Sequence, residues 1–144
     1  MNTAMDIARF LIQYYNRIKK PITNVKLQKL LYYAWIEYYI SHGKYLFKDS
    51  IHAWKLGPVV PEVYYEYRIF AAMPISSVKE PSNRIDDNVR DFLEHFAEKY
   101  KDTKAFDLVS RSHEAGKPWE KAYGYCAGSI IPFKSIVDLE CQNL

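Results

Sequence analysis

The run Gly124-Tyr125-Cys126-Ala127-Gly128 has the glycine-x-nucleophile-x-glycine spacing of a nucleophile elbow, with a thiol in place of the usual hydroxyl. Such a turn lifts its nucleophile between a buried strand and a helix. Here a short helical turn precedes Gly124, and Ser129 and Pro132 follow the run, so a plain loop is expected. His113-Glu114 begins like the two-histidine helix of zinc proteases, but Lys117 stands where the second histidine belongs. His42, His52 and His95 are scattered singly and no Cys-x-x-Cys occurs, so no metal site, cofactor or catalytic set is expected. Cys126 and Cys141 are too sparse for a disulfide framework and fit free thiols in a reducing compartment.

Binding chemistry has more support. Lys26, Lys29, Tyr33 and Glu37 fall on one helical face, and cations, a ring and an acid together suit a protein partner or a phosphate; a solvated face is the alternative. No glycine-rich loop accompanies the lysines, which leaves a nucleotide site without its usual cradle. Tyr64, Tyr65 and Tyr67 form a second cluster, either interface anchors or residues half in the core.

These groups must be positioned by helices. Thr3 with Asp6 forms an approximate capping box, and Ile7, Phe10, Leu11, Tyr14 and Ile18 repeat at helical spacing, predicting a helix over 4–19 before Pro21. Thr23 or Asn24 caps a second helix. Its Leu27, Leu30, Leu31, Ala34 and Tyr38 make one stripe, and Gln28, Tyr32, Trp35 and Tyr39 make another, so it is expected at the centre, stopping at Gly43. Tyr45 to Phe47 and Ile51 to Lys55 are expected as the two strands of a small hairpin.

Gly57-Pro58 reads as a turn, and Pro61 opens a tyrosine-rich helix to about Ala72. Pro74 to Asn83 is the one long irregular connection. A helix capped by Asp86 carries Val89, Phe92, Leu93, Phe96 and Tyr100, and Thr103 caps another that runs toward His113. Pro118 opens a short turn through Tyr123, and a last helix covers 133–141. The expected fold is mainly α: a compact bundle of about six helices, with one small β-hairpin near residues 45–55, in a single domain spanning 1–144.

The 20 basic and 17 acidic residues are interleaved, leaving a net charge of +3 without the basic block that marks a nucleic-acid footprint. Uncharged runs fall far short of the ~18 residues that suggest a membrane span. Charges at Asp6, Arg9, Arg17, Lys19 and Lys20 break any signal-like apolar stretch, so a cytoplasmic protein is expected. Thirteen Tyr, seven Phe and three Trp are a heavy aromatic load for 144 residues, and it must fill either a core or an interface.

Three blocks together resemble the Panacea (SocA-like) antitoxin domain family: Val25-Lys26-Leu27-Gln28-Lys29-Leu30-Leu31-Tyr32-Tyr33-Ala34, then Ala53-Trp54-Lys55-Leu56-Gly57-Pro58-Val59-Val60-Pro61, then His113 with Pro118-Trp119. The resemblance spans Ile7 to about Leu139 and implies a bacterial or prophage antitoxin. Such a protein neutralises a cognate toxin, encoded by an adjacent gene, through direct protein contact, in one variant by handing it to a protease. It implies no enzyme activity. Lys26, Gln28, Lys29, Trp54, Gly57, Pro58, His113 and Trp119 match the motif. With Tyr33, Tyr64 and Tyr65, the side chains of this set other than Gly57 and Pro58 are the candidate partner-binding residues. An extra Gly116-Lys117 before Pro118 and the motif-free Met73 to Asp86 depart from the pattern. The competing expectation is a nucleic-acid-binding regulator that uses Lys26, Lys29 and surface tyrosines.

Overall fold

The computed structural model describes residues 1–142. In chain order it holds α1 (Ala4–Arg17), α2 (Asn24–His42), β1 (Ile51–Trp54), β2 (Gly57–Val59), α3 (Pro61–Tyr67) with a 3-10 turn at Arg68–Phe70, α4 (Asp87–Tyr100), α5 (Ala105–Ser112), α6 (Pro118–Tyr125), β3 (Ile130–Ile131) and α7 (Phe133–Glu140). The fold is mainly α with a small antiparallel sheet of order β2-β1-β3. One more helix appears than expected, because the segment opened by Pro118 continues for two full turns to Tyr125.

Thirteen of the nineteen residues of α2 are buried, so it has almost no solvent side; α1, α3, α4, α5, α7 and β2 all pack on it. Its ends follow the sequence: Thr23 Oγ1 accepts the Lys26 N–H at 3.2 Å, and Gly43 takes φ +67° where a side chain would be strained. Trp35, fully buried at the middle of α2, stacks on Phe133 of α7 and donates from Nε1 to the Phe47 carbonyl at 3.1 Å.

That last bond corrects the hairpin. Tyr45 to Phe47 is not a strand, since Leu46 and Phe47 plug into the core and the Phe47 carbonyl is occupied by Trp35. The true hairpin pairs β1 with β2, with His52 opposite Val59 and Trp54 opposite Gly57 around a Lys55-Leu56 turn. Gly57-Pro58 is therefore a strand start, not the turn itself. Pro58 lies on an edge strand, where its missing N–H breaks no ladder bond. β3 pairs on the other side of β1, with Ile131 opposite Ile51.

Two capping expectations also change. Asp86 and Lys104, in place of Thr103, stand at the starts of α4 and α5, and neither makes a side-chain cap bond. α1 ends at Arg17 and α3 at Tyr67, shorter than the apolar pattern suggested.

The irregular connection from Ala71 to Asp86 is fastened to α1 and its flank. Ile75 is fully buried with its N–H on the Ile22 carbonyl at 2.8 Å, and Ile85 is buried as well. Asp6, only 1% exposed, accepts the Ser82 N–H at 3.0 Å, the Asn83 side-chain amide at 3.0 Å and the Thr3 N–H at 3.2 Å, while Thr3 caps in return. Burial alone would raise the Asp6 carboxyl, but bonds from the Asn83 side chain, the Thr3 backbone, Asn2 and the Asn83 backbone outweigh it and hold it at about 2, below its ordinary 3.8.

Because the folded pKa lies below the unfolded one, the unfolded chain takes up the proton first as pH falls. Stability from Asp6 is whole above about pH 4 and is lost toward pH 2. Urea unfolding across this window should show Asp6→Asn flattening the acid slope by about 1–2 kcal/mol. Equal slopes in the two proteins would mean that these bonds do not favour the charged form.

Candidate functional site

The three sequence blocks meet where the hairpin lies on the first half of α2. Gln28, 2% exposed, receives the Val60 N–H on Oε1 at 3.0 Å and donates from Nε2 to Asn24 Oδ1 at 2.9 Å. Asn24 passes the chain on to the Tyr64 carbonyl at 3.1 Å. Lys29, 1% exposed, donates from Nζ to the Pro58 carbonyl at 2.7 Å. Gln28, Asn24 and Lys29 thus each bind a backbone group in β2, just after it, or in α3.

Gly57 makes the approach of Lys29 feasible. Its φ is +113°, and a Cβ there would sit 2.7 Å from both Lys29 Cε and Ser112 Oγ. On the far side of Ser112, His113 stacks on Trp119 at 3.8 Å between ring centroids, and Trp119 donates from Nε1 to the Trp54 carbonyl at 2.7 Å. His113 Nε2 is sealed from solvent with no partner among the described residues.

Neither base in this cluster holds its charge as an exposed group would. Burial pushes the Lys29 amine down to about 7. Burial and then the Lys29 charge move His113 below its ordinary value. Among the described residues no carboxylate is bonded to either, and the cluster is a clamp of reduced charge that fixes the hairpin and the start of α6 on α2.

The outer side of the same hairpin is different. Trp54, Tyr64 and Tyr65 stand ring against ring, with centroids 5.1 Å apart for Trp54–Tyr64 and 5.8 Å for Tyr64–Tyr65, and the Arg68 guanidinium lies 5.3 Å over Tyr65. Between these rings and α2 opens a groove of about 260 Å³, walled by Val25, Trp54, Leu56, Val59 and Tyr64. Lys29 and Lys55 also line it, and no carboxylate does.

The expected contact residues therefore divide. Lys26, Gln28, Lys29, Tyr33 and Trp119 are buried, Trp54, Tyr64 and His113 are half-buried, and Tyr65 is exposed. The expectation that Lys26, Lys29 and Tyr33 form an open docking face is corrected: Lys26 Nζ is bound to the Tyr100 carbonyl at 2.9 Å and Lys29 Nζ to Pro58. Amines engaged in this way are not available to phosphates, so the nucleic-acid expectation loses the lysines it named.

Sequence reasoning missed the exposed apolar side chains Leu56, Ile69 and Met73, which are 41%, 84% and 67% exposed. Ile69 lies off the Val63 and Tyr67 stripe, and that displacement was the available signal.

At Cys126 the order of elements is the reverse of a nucleophile elbow, with α6 before the cysteine and the short β3 after it. Among the described residues no three His, Cys, Asp or Glu side chains gather into a cluster that could hold a metal ion. No helix of the described residues is long and apolar enough to cross a membrane.

Two outcomes test this description. Between about pH 7 and 10 the unfolded chain keeps the Lys29 proton that the folded chain releases, so stability rises with pH there. Wild type should gain on Lys29→Met by roughly 3 kcal/mol across that window in urea unfolding, and a flat difference would show a charged amine accommodated in the fold. With a thiol reagent, exposed Cys126 should react in the native protein, whereas Cys141, buried and pushed up to about 11, should react only on unfolding. Two fast thiols would place the end of α7 in solvent.

Comparison with known proteins accords with the convergence of the three blocks. The family model described as antitoxin SocA-like, Panacea domain, matches residues 27–120, from α2 into α6. Antitoxin SocA of Caulobacter vibrioides (strain NA1000 / CB15N) is 30% identical over 134 residues, covering 81% of this chain and 68% of that protein. No solved structure matches with significance. The chain belongs to the SocA-like Panacea antitoxin family.

Proposed function

We propose that this chain is a cytoplasmic antitoxin that neutralises the toxin product of an adjacent gene by direct protein contact, using the outer side of its hairpin. The observation that carries this is the exposed aromatic edge. Trp54, Tyr64 and Tyr65 are locked ring against ring, and Arg68 stacks on the outermost ring. Rigid Tyr, Trp and Arg side chains bury large area at small entropic cost and dominate binding energy where they occur.

Ile69, 84% exposed, follows Tyr65 by four residues where α3 passes into the 3-10 turn, so it adds an apolar side chain to the edge. The adjoining groove carries the exposed Lys55 and, among the described residues, no carboxylate, which suits a toxin segment that presents an acidic side chain beside an apolar one. The buried residues of the family motif act as positioning residues in this reading: they hold the edge and do not touch the partner. Delivery of the bound toxin to a protease is a further step that the same surface permits.

The test is co-expression with each flanking gene product, scoring growth, co-purification and the level of the toxic protein. Wild type should restore growth and co-purify. Leu56→Asp with Tyr65→Asp should keep the native melting temperature and bind at least about 30-fold more weakly, the scale of a lost hot spot. Full rescue by the double variant would move the contact elsewhere. The absence of any toxic, co-purifying neighbour would defeat the antitoxin reading itself. A toxin level that falls during rescue indicates degradation, and a steady one indicates blocking.

A further inference from the structure

The helix face that carries Lys26, Lys29, Tyr33 and Glu37 splits between two environments. Its first half is occupied by the carbonyls of Tyr100 and Pro58. Its second half, Tyr33 and Glu37, borders an open cavity of about 450 Å³ lined by residues of α2, α4, α5 and α7, a volume within the ~300–1,000 Å³ range of small-molecule sites.

Two acids, Glu37 and Glu140, and two cations, Lys99 and Arg111, line this cavity, and one of the cations has no acid of its own. Glu37 takes Lys99 Nζ at 3.0 Å and the Tyr100 hydroxyl, and Glu140 takes the Tyr32 hydroxyl at 3.0 Å and Lys117 Nζ at 3.5 Å. Each acid has its own cation. Arg111 has no acid: its guanidinium lies 4.2 Å over the Tyr33 ring, Nη1 donates to the Tyr100 hydroxyl at 3.1 Å, and it makes no ion pair among the described residues.

Beneath the guanidinium is a second unspent group. Tyr33 is 1% exposed, and its hydroxyl has no hydrogen-bond partner among the described residues. Burial raises its pKa, so the hydroxyl stays protonated and is a donor. Such groups are normally satisfied, and one that is not marks a place where a partner is missing. One oxyanion in the cavity would serve both groups, as an anion for the exposed Arg111 guanidinium and as an acceptor for the Tyr33 hydroxyl. Ile36, Ile40 and Phe92 supply an apolar lining to the same cavity.

We propose that this cavity binds a small organic anion, with its apolar body against Ile36, Ile40 and Phe92 and its carboxylate or phosphate headgroup held by Arg111 and the Tyr33 hydroxyl. Arginine takes either headgroup through two parallel N–H bonds, and the protonated tyrosine adds a third. The site is separate from the aromatic edge, and the proposal does not rest on the antitoxin reading.

The test is calorimetric and thermal-shift titration of the full chain at fixed ionic strength with hexanoate and hexyl phosphate. Hexanol serves as the body without charge, and acetate and inorganic phosphate as the headgroups without body. At least one of the two complete probes should raise the melting temperature and bind at least tenfold more tightly than any of the three fragments; the better of the two identifies the headgroup. Arg111→Gln should weaken binding at least tenfold, and Arg111→Lys, which keeps the charge but loses the fork, should fall between.

Tyr33→Phe is the sharper variant. It should weaken the probe about fivefold while leaving the melting temperature of the free protein equal or higher, because phenylalanine removes an unsatisfied hydroxyl without creating a void. A tyrosine with only a structural role would leave probe affinity unchanged. No binding of either complete probe, or binding that survives both Arg111→Gln and Tyr33→Phe, would overturn the site. Toxin neutralisation is not read in this experiment, so failure here leaves that proposal standing.

Discussion

The bond from Lys29 Nζ to the Pro58 carbonyl, wholly inside the protein, is the constraint on which the rest of the molecule turns. Placing an amine there is costly, and the fold meets the cost by letting the amine lose its charge toward neutrality, by giving it a carbonyl that a proline strand leaves free, and by a glycine whose missing Cβ makes room. Once the bond is made, β2 cannot slide on α2. Gln28 and Asn24 then fix the entry to α3 and the position of Tyr64. Trp119 fixes the other end of β1 through the Trp54 carbonyl. The aromatic edge is rigid because its backbone is held from behind.

This arrangement explains why the recurring sequence blocks are mostly interior. A lysine, a glutamine and a histidine in a family motif invite a functional interpretation, yet here they complete backbone hydrogen bonds or pack a ring stack. In this chain the motif residues build the clamp that holds the scaffold. The side chains that the clamp only holds out, such as Leu56, Tyr65 and Ile69, end in solvent and are the ones on which the proposed contact rests.

Much of the helical frame was legible because its signals are local. The capping box of Thr3 and Asp6, the cap at Thr23, the stop at Gly43 and Pro61 at the first position of α3 each act over a few residues. The strand Ile51–Trp54 falls where the sequence puts it, but its partner does not, because Leu46 and Phe47 look like strand residues until Trp35, on another element, claims the Phe47 carbonyl. The lysine face was misjudged for the same reason: polarity suggested solvent, while the acceptors that bury Lys26 and Lys29 lie 74 and 29 residues downstream. Arg111 escaped notice altogether, since nothing in its own neighbourhood in sequence links it to Tyr33.

Because α2 carries both features on one stripe, with Lys29 under the hairpin and Tyr33 one turn further on at the cavity, substitutions in its first half are poor probes of contact. Losing Lys29 or Gln28 frees the hairpin and moves the rings even if neither residue meets a partner. The informative positions are those whose side chains end in solvent or in the cavity and whose backbones are held by other residues. Tyr65 meets that condition at the edge through the fixed start of α3, and Arg111 meets it at the cavity, where α5 packs on α2 through Leu108 and Val109. The scaffold and its surfaces can be separated experimentally only at such positions, since elsewhere a lost function and a displaced element give the same phenotype.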